Sequence, residues 1–275
     1  MYTQIKYEVS DRVAVITLNR PEYRNAIGRI MIEEIDDAFN SALTDDDVGV
    51  VAMVAEGPHF SAGHDLGTPE KLADDEARPF PAGVPGIFLR SWSMYIEPGL
   101  RWRNFPKPTV CGVHGMCVFG GWMLAATMDV LFAAEDANFL PSRLQYFSMP
   151  WDIGVRKAKE VLLEPRFIDA REAVEFGFVT RIYPLDVLRE ETVAYAKRVA
   201  ENDPFYLWTT KLAINQAQDT QGFTTHINDA HAFPMGGGGR SSQGGQLPSG
   251  QRRIAPIDRA LRNQQLMRDR VSRPS

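Results

Sequence analysis

Val13 to Leu18 is a short, β-branched apolar run, and the preceding Ile5 to Val9 alternates apolar and polar residues. With Ser10-Asp11-Arg12 between them, the two segments predict a β-hairpin. Asn19-Arg20-Pro21-Glu22 ends the second strand. From Ala26 to Leu43, the residues Ile27, Ile30, Met31, Ile35, Ala38, Phe39 and Ala42 recur at helical spacing, with aspartates and glutamates opposite, which predicts an amphipathic helix. Asp45-Asp46-Asp47 forms a solvated loop before a second apolar strand, Val48 to Ala55. Thr109 to Val113 and Val130 to Ala134 read as further buried strands, with a helix over Gly120 to Met128 between them. Residues 67 to 88 hold Pro, Gly and charged residues without a period, so they are expected to be a long, mobile surface segment placed as a lid.

The second half turns helical. One helix is expected over Ile153 to Leu163. Asp169 caps the next, with Glu172 completing a capping box and Gly177 closing it. Val179 to Tyr183 is a short strand, and Leu185 to Glu201 a longer helix. Asp203-Pro204 starts a helix through Gln218. Residues 236 to 251 are a Gly/Ser/Gln-rich linker, followed by a basic helix over Ile257 to Arg270. Strand–helix alternation followed mainly by helices gives the α/β class: a core over residues 1–184 and a helical C-terminal region over 185–275.

Composition narrows the function. Of 275 residues 44% are hydrophobic and 24% charged, values of a globular chain with ample length for a core. A net charge of -5 makes nucleic acid a poor partner, because such binding needs a positive field. No apolar run reaches membrane-spanning length, and the start, Met1-Tyr2-Thr3-Gln4-Ile5-Lys6, has no apolar signal core. Two cysteines, Cys111 and Cys117, are too few for a disulfide scaffold and fit a cytoplasmic location.

Two glycine junctions carry the chemistry. Phe60-Ser61-Ala62-Gly63-His64-Asp65-Leu66 follows the Val48 to Ala55 strand, and His114-Gly115-Met116-Cys117-Val118-Phe119-Gly120-Gly121 follows the Thr109 to Val113 strand. Glycine lets a ligand approach backbone N–H groups closely, and a following helix adds its positive end. Two N–H groups aimed at one point make an oxyanion hole. Each junction alone reads as a plain turn, and spacing does not show that they converge. His59 and His64, like His226 and His231, are five apart, which does not place two metal ligands on one helix face. Cys117 reads as a small buried thiol.

The ordered set of segments resembles the crotonase (enoyl-CoA hydratase/isomerase) superfamily. Beyond the two junctions, the resemblance rests on Leu18 to Ala26, Pro106-Lys107-Pro108-Thr109-Val110, Asp129 to Phe139 and Ala170 to Pro184, together spanning about residues 5 to 220. It implies a crotonase-like spiral of ββα units with a helical C-terminal trimerisation region. It also implies a homotrimer or hexamer, and a lyase or isomerase of fatty-acid type that acts on an acyl-CoA thioester. Coenzyme A enters as part of the substrate, with no other cofactor and no metal. Carried over by position, the oxyanion donors are the backbone N–H groups of His64 and Gly120. Coenzyme A would run past Arg24, Asn25 and Ala26, then Ala62, Gly63, His64, Asp65 and Leu66.

Two positions depart from that pattern. The first family glutamate lies three residues after the second oxyanion glycine, where this chain has Met123. The second falls at Ser142, Arg143 and Leu144. Methionine transfers no proton, and arginine does not lose one. The nearest replacements are in Tyr146-Phe147-Ser148-Met149-Pro150-Trp151-Asp152, which resembles a Trp-acid pair at the same junction of some family members. Asp152 is read either as a pocket carboxylate or as a helix-end charge, and Tyr146 as a proton donor or a structural ring. A CoA-thioester hydrolase or isomerase using either residue, or a non-catalytic acyl-CoA-binding protein, is the alternative.

Overall fold

The computed structural model describes residues 2–142, 145–236 and 255–271. The 236–251 linker therefore lies almost wholly outside the described residues, as do Arg143 and Leu144.

Six strands form the main sheet, in the order β1 (Ile5–Ser10), β2 (Val13–Leu18), β3 (Val50–Ala55), β4 (Thr109–Val113), β6 (Val130–Ala134) and β9 (Arg181–Tyr183). The first pair is the antiparallel hairpin; every later pair is parallel. A second sheet holds β5 (Met116–Val118), β7 (Asn138–Leu140) and β8 (Ile168–Asp169). The chain visits both sheets on each turn: β4 then β5, the short helix α5 (Gly120–Ala125), β6 then β7. This is the spiral of ββα units that the resemblance implies.

Burial on both faces explains the apolar runs. In β2, Ala14, Ile16 and Leu18 join the core shared with the long helix α1 (Arg29–Thr44), while Val13 and Val15 face the helix α9 (Leu188–Ala200). In β3, Val51 and Met53 take the first side, and Val50, Ala52 and Val54 the second. A strand covered on both faces shows no polar alternation.

Several elements differ from expectation. The helix expected from Ala26 begins at Arg29. Asn25 is left-handed (φ 52°), and Ile27 is tied by the Gly63 carbonyl (2.7 Å) and the Asp65 amide (2.9 Å). Residues 67 to 88 are not a featureless loop; they contain α2 (Pro69–Ala77) and most of α3 (Gly83–Ser91). α2 buries no residue, so no apolar period marks it. Instead the Thr68 hydroxyl caps it, and Asp74 pairs with Arg29 and Arg78. The helix expected over Ile153 to Leu163 is present as α7 (Val155–Leu163), starting after Gly154 (φ 80°), and a separate short helix, α6 (Met149–Asp152), precedes it. Asp169 does cap α8 (Ala170–Glu175), but the Glu172 carboxylate pairs with Arg166 (2.8 Å).

Unmarked in the sequence are α6, the short strands β5, β7 and β8 of the second sheet, a π-helical turn at Trp92–Ile96, α4 (Glu97–Arg103) behind it, and α11 (Phe223–Gly236). After α10 (Pro204–Thr220), α11 folds back onto α3 and the π turn. Phe223 and Ile227 there pack with Ile96, Met123 and Tyr146. The basic helix near the C-terminus is present as α12 (Pro256–Val271).

Candidate active site

The two glycine junctions meet. Ser61 pairs with β5: its N–H donates to the Met116 carbonyl and its carbonyl accepts from Val118, both at 3.0 Å. Gly63 (φ 95°) then reverses the strand's facing, so that its carbonyl and the Asp65 N–H turn toward Ile27. In such a parallel bridge the amide of His64 itself faces the other way, back toward the β5–α5 junction. The approach there is close. A Cβ added to Gly63 would lie 2.7 Å from the Val118 carbonyl oxygen, and one added to Gly120 would lie 3.4 Å from the Gly63 carbonyl carbon and 3.3 Å from His64 Nδ1. Gly120 is the first residue of α5, so its N–H has no preceding carbonyl of that helix to bond. Phe119 before it is held at φ 45°, a costly conformation for a non-glycine residue and one that clusters at functional sites.

A narrow apolar cavity of about 20 Å³ opens beside Gly120, lined among others by Ile27, Met94, Tyr95, Met123 and Leu124. Met123 is part of this wall. Among the described lining residues there is no carboxylate. The π turn, which inserts one extra residue into the helix, brings Met94 and Tyr95 onto the cavity.

The two predicted coenzyme-contacting segments are also joined. Ala62 N–H donates to the Arg24 carbonyl (2.9 Å). Arg24 is exposed in a left-handed turn and makes no ion pair among the described residues. The side chain of buried Asn25 is used internally, bonding the Arg20 amide and the carbonyls of Glu56 and His59. Asp65 is likewise a brace: its carboxylate accepts from buried Arg20 (3.0 Å), Thr68 and Gly67. Burial alone would raise its pKa, but these bonds hold it below the usual carboxylate range. Leu66 is 92% exposed, an apolar side chain at the mouth rather than in the core.

Around His64, the Nε2 atom lies 2.5 Å from Gln145 Oε1, and the Tyr95 ring meets the imidazole edge to face, with centroids 4.7 Å apart. Burial and the charge of Arg90 keep the imidazole pKa below its ordinary value, against the opposing pull of the Gln145 bond. Burial raises the Tyr95 phenol above its usual range.

Asp152 and Tyr146 stand elsewhere. Asp152 accepts from Ser148 Oγ (2.6 Å) and from the Trp122 indole, on a face of α5 other than that of Gly120 and Met123. It lines a second cavity, of about 380 Å³, shared with Arg103, Asp129, Lys211 and Asn215. Burial pushes its carboxyl up to about 7. Asp152 also lies in the first turn of α6, where an acidic side chain suits the helix end, while α7 is capped by Gly154 without a side-chain bond. Tyr146 is 1% exposed, packs on Gly99, which lines the narrow cavity, and its hydroxyl has no hydrogen-bond partner among the described residues. Burial raises its pKa, so the phenol stays protonated. Cys111 and Cys117 are both buried free thiols.

A spiral of ββα units in which two glycine loops cross beside an apolar cavity defines the crotonase class of acyl-CoA-processing proteins. The enoyl-CoA hydratase/isomerase family model matches residues 8–235, and the chain belongs to that family. Among solved structures, a probable enoyl-CoA hydratase of Mycobacterium thermoresistibile is 39% identical, covering 86% of this chain and 97% of its own, with a TM-score of 0.78. An enoyl-CoA hydratase/isomerase of Xanthobacter autotrophicus Py2 is 34% identical over 86% of this chain and 87% of its own, with a TM-score of 0.77. The putative enoyl-CoA hydratase EchA13 of Mycobacterium tuberculosis is 37% identical over 267 residues, 86% of this chain and 84% of its own length.

Proposed function

We propose that this protein binds an acyl-CoA thioester with its carbonyl oxygen between the N–H groups of His64 and Gly120 and stabilises the enolate formed there. The observation that carries the reading is the meeting of the peptide before His64 with Gly120 at the mouth of one apolar cavity. Charge that develops on the thioester oxygen gains two fixed donors, each worth about 3 kcal/mol in comparable sites. Coenzyme A would follow the paired edges Arg24 to Ala26 and Ala62 to Leu66, with the exposed Arg24 guanidinium available to its phosphates.

The reaction class follows from what surrounds the cavity. Hydration needs a positioned acid and base to split water across the double bond. Met123 and the other described lining residues supply no carboxylate for that work. A proton shift along the acyl chain needs only one base, so the reading favours isomerisation of enoyl-CoA over its hydration. Crotonyl-CoA hydration is expected about 10²–10⁴-fold below the rate of an efficient hydratase. A 3-enoyl-CoA is expected to convert to the conjugated 2-enoyl-CoA, followed by the thioester's ultraviolet absorbance. Efficient hydration would overturn the reaction class, and failure to bind any acyl-CoA would overturn the reading as a whole.

The assembly proposed is a homotrimer or hexamer. α10 exposes Phe205, Tyr206, Trp208 and Ile214, an apolar surface of the kind that marks an interface. Sedimentation at micromolar concentration should give a trimer or hexamer; a monomer contradicts this.

A further inference from the structure

We propose that the imidazole of His64 is the base of this site, with its Nδ1 atom taking the α-proton of the bound thioester. The proposal rests on the enolate reading above and assigns the proton-transferring group that reading leaves open.

Geometry carries it. Gln145 presents its carbonyl oxygen to Nε2, and an amide oxygen only accepts, so Nε2 holds the ring proton and Nδ1 carries the lone pair. Nδ1 is the atom beside Gly120, 3.3 Å from where a Cβ would stand, on the side of the second amide donor. The ring sits between Gly120 and Tyr95, both of which line the cavity. Its freedom is small, because Tyr95 fixes one side and Gln145 one end. The titratable and charged groups that face it are Tyr95 from the π turn and Arg90 from α3. Burial and the charge of Arg90 favour the neutral ring, which is the form a base requires.

The chemistry balances with one base. Nδ1 takes the proton from C2 of a 3-enoyl thioester, and the C–H electron pair moves into a dienolate whose oxygen lies between the His64 and Gly120 amides. The Nδ1 proton then passes to C4, the carbonyl re-forms, and the double bond stands between C2 and C3. No water, oxidant or other co-reactant enters. Gln145 acts through His64 and is a positioning residue.

The test is exchange of the α-proton of a saturated acyl-CoA, butyryl-CoA, in D₂O, with its affinity measured in parallel by calorimetry. His64→Ala keeps the backbone N–H and removes the ring. Exchange is expected to fall at least about 10²-fold with Kd changed only a few-fold. His64→Gln, closer in volume, should fall equally and guards against a folding defect. Gln145→Ala should retain exchange but shift its pH profile, since the ring loses the bond that sets its tautomer. In ¹⁵N spectra at pH 7 the His64 ring should be neutral with the proton on Nε2. Full exchange by both His64 variants, or a proton on Nδ1, overturns the assignment and leaves the enolate reading standing. Wild-type protein that binds butyryl-CoA but exchanges no proton overturns both, and wild-type protein that binds no acyl-CoA overturns the functional reading itself.

Discussion

Gly63→Ala should abolish most activity and lower stability together. Two independent features make it severe. Gly63 sits at φ 95°, which side-chain-bearing residues rarely adopt, and a Cβ there would meet the Val118 carbonyl oxygen at 2.7 Å. Strain of the first kind costs about 1–3 kcal/mol. The clash adds to it, because backbone on both sides is held by the Ser61–Cys117 and Ile27–His64 bridges. Relief would require the 63–64 peptide to rotate, and that rotation carries the His64 N–H away from Gly120. Loss of one oxyanion donor lowers turnover about 10²–10³-fold. Gly222→Ala is the control: Gly222 has φ 101° but open space around it, so strain alone is tested there. Thermal melts and acyl-CoA turnover of the two variants separate the effects. A Gly63→Ala enzyme with turnover like that of Gly222→Ala would show that the close approach is unimportant.

Asp152→Asn should change the pH dependence of stability by a few kcal/mol while leaving turnover within about tenfold of wild type. Burial holds the Asp152 carboxyl near 7, against 3.8 for the free group. Between about pH 4 and pH 7 the folded protein therefore keeps a proton that the unfolded chain has lost. Unfolding releases that proton, so stability falls as pH rises through this window and levels off above it. Each tenfold gain in proton affinity on folding corresponds to about 1.4 kcal/mol, and bonds from Ser148 and Trp122 return part of it to the charged form. Asparagine accepts the same two bonds without ionising, so its urea midpoint should be flat from about pH 5 to 8 where the wild type declines. The turnover expectation follows from place: Asp152 lines the cavity of Arg103 and Lys211, not that of Gly120. A hundredfold loss of turnover with unchanged acyl-CoA affinity would return Asp152 to the chemistry.

The substitutions at the glutamate positions were legible in the sequence, and the identity of what replaced them was not. Met123 is read directly by its distance from Gly120, and it does stand in the cavity wall. Asp152 is singled out in the sequence by the Trp151-Asp152 pair. Distance in sequence says nothing about which face of α5 a residue meets, and Trp122 rather than Met123 is its neighbour. His64 was named for its amide. Its ring acquires a chemical orientation only from Gln145, 81 positions away, and from Tyr95, which the π turn rotates toward it.

The sequence by itself determined the strands of the main sheet, the main helices and the order of the two glycine junctions. These depend on local periodicity and on turn residues, and β2 and β3 carry their burial in their composition. Tertiary structure decided the rest, because the remaining features depend on residues distant in the chain. α2 has no buried face, so its cap and the ion pairs of Asp74 replace the missing period. The facing of the His64 amide depends on a reversal at Gly63 that only the Ile27 and Val118 contacts define. The packing behind Met123 comes from α11, whose Phe223 and Ile227 find Ile96 and Met123 after the chain has turned back past α10.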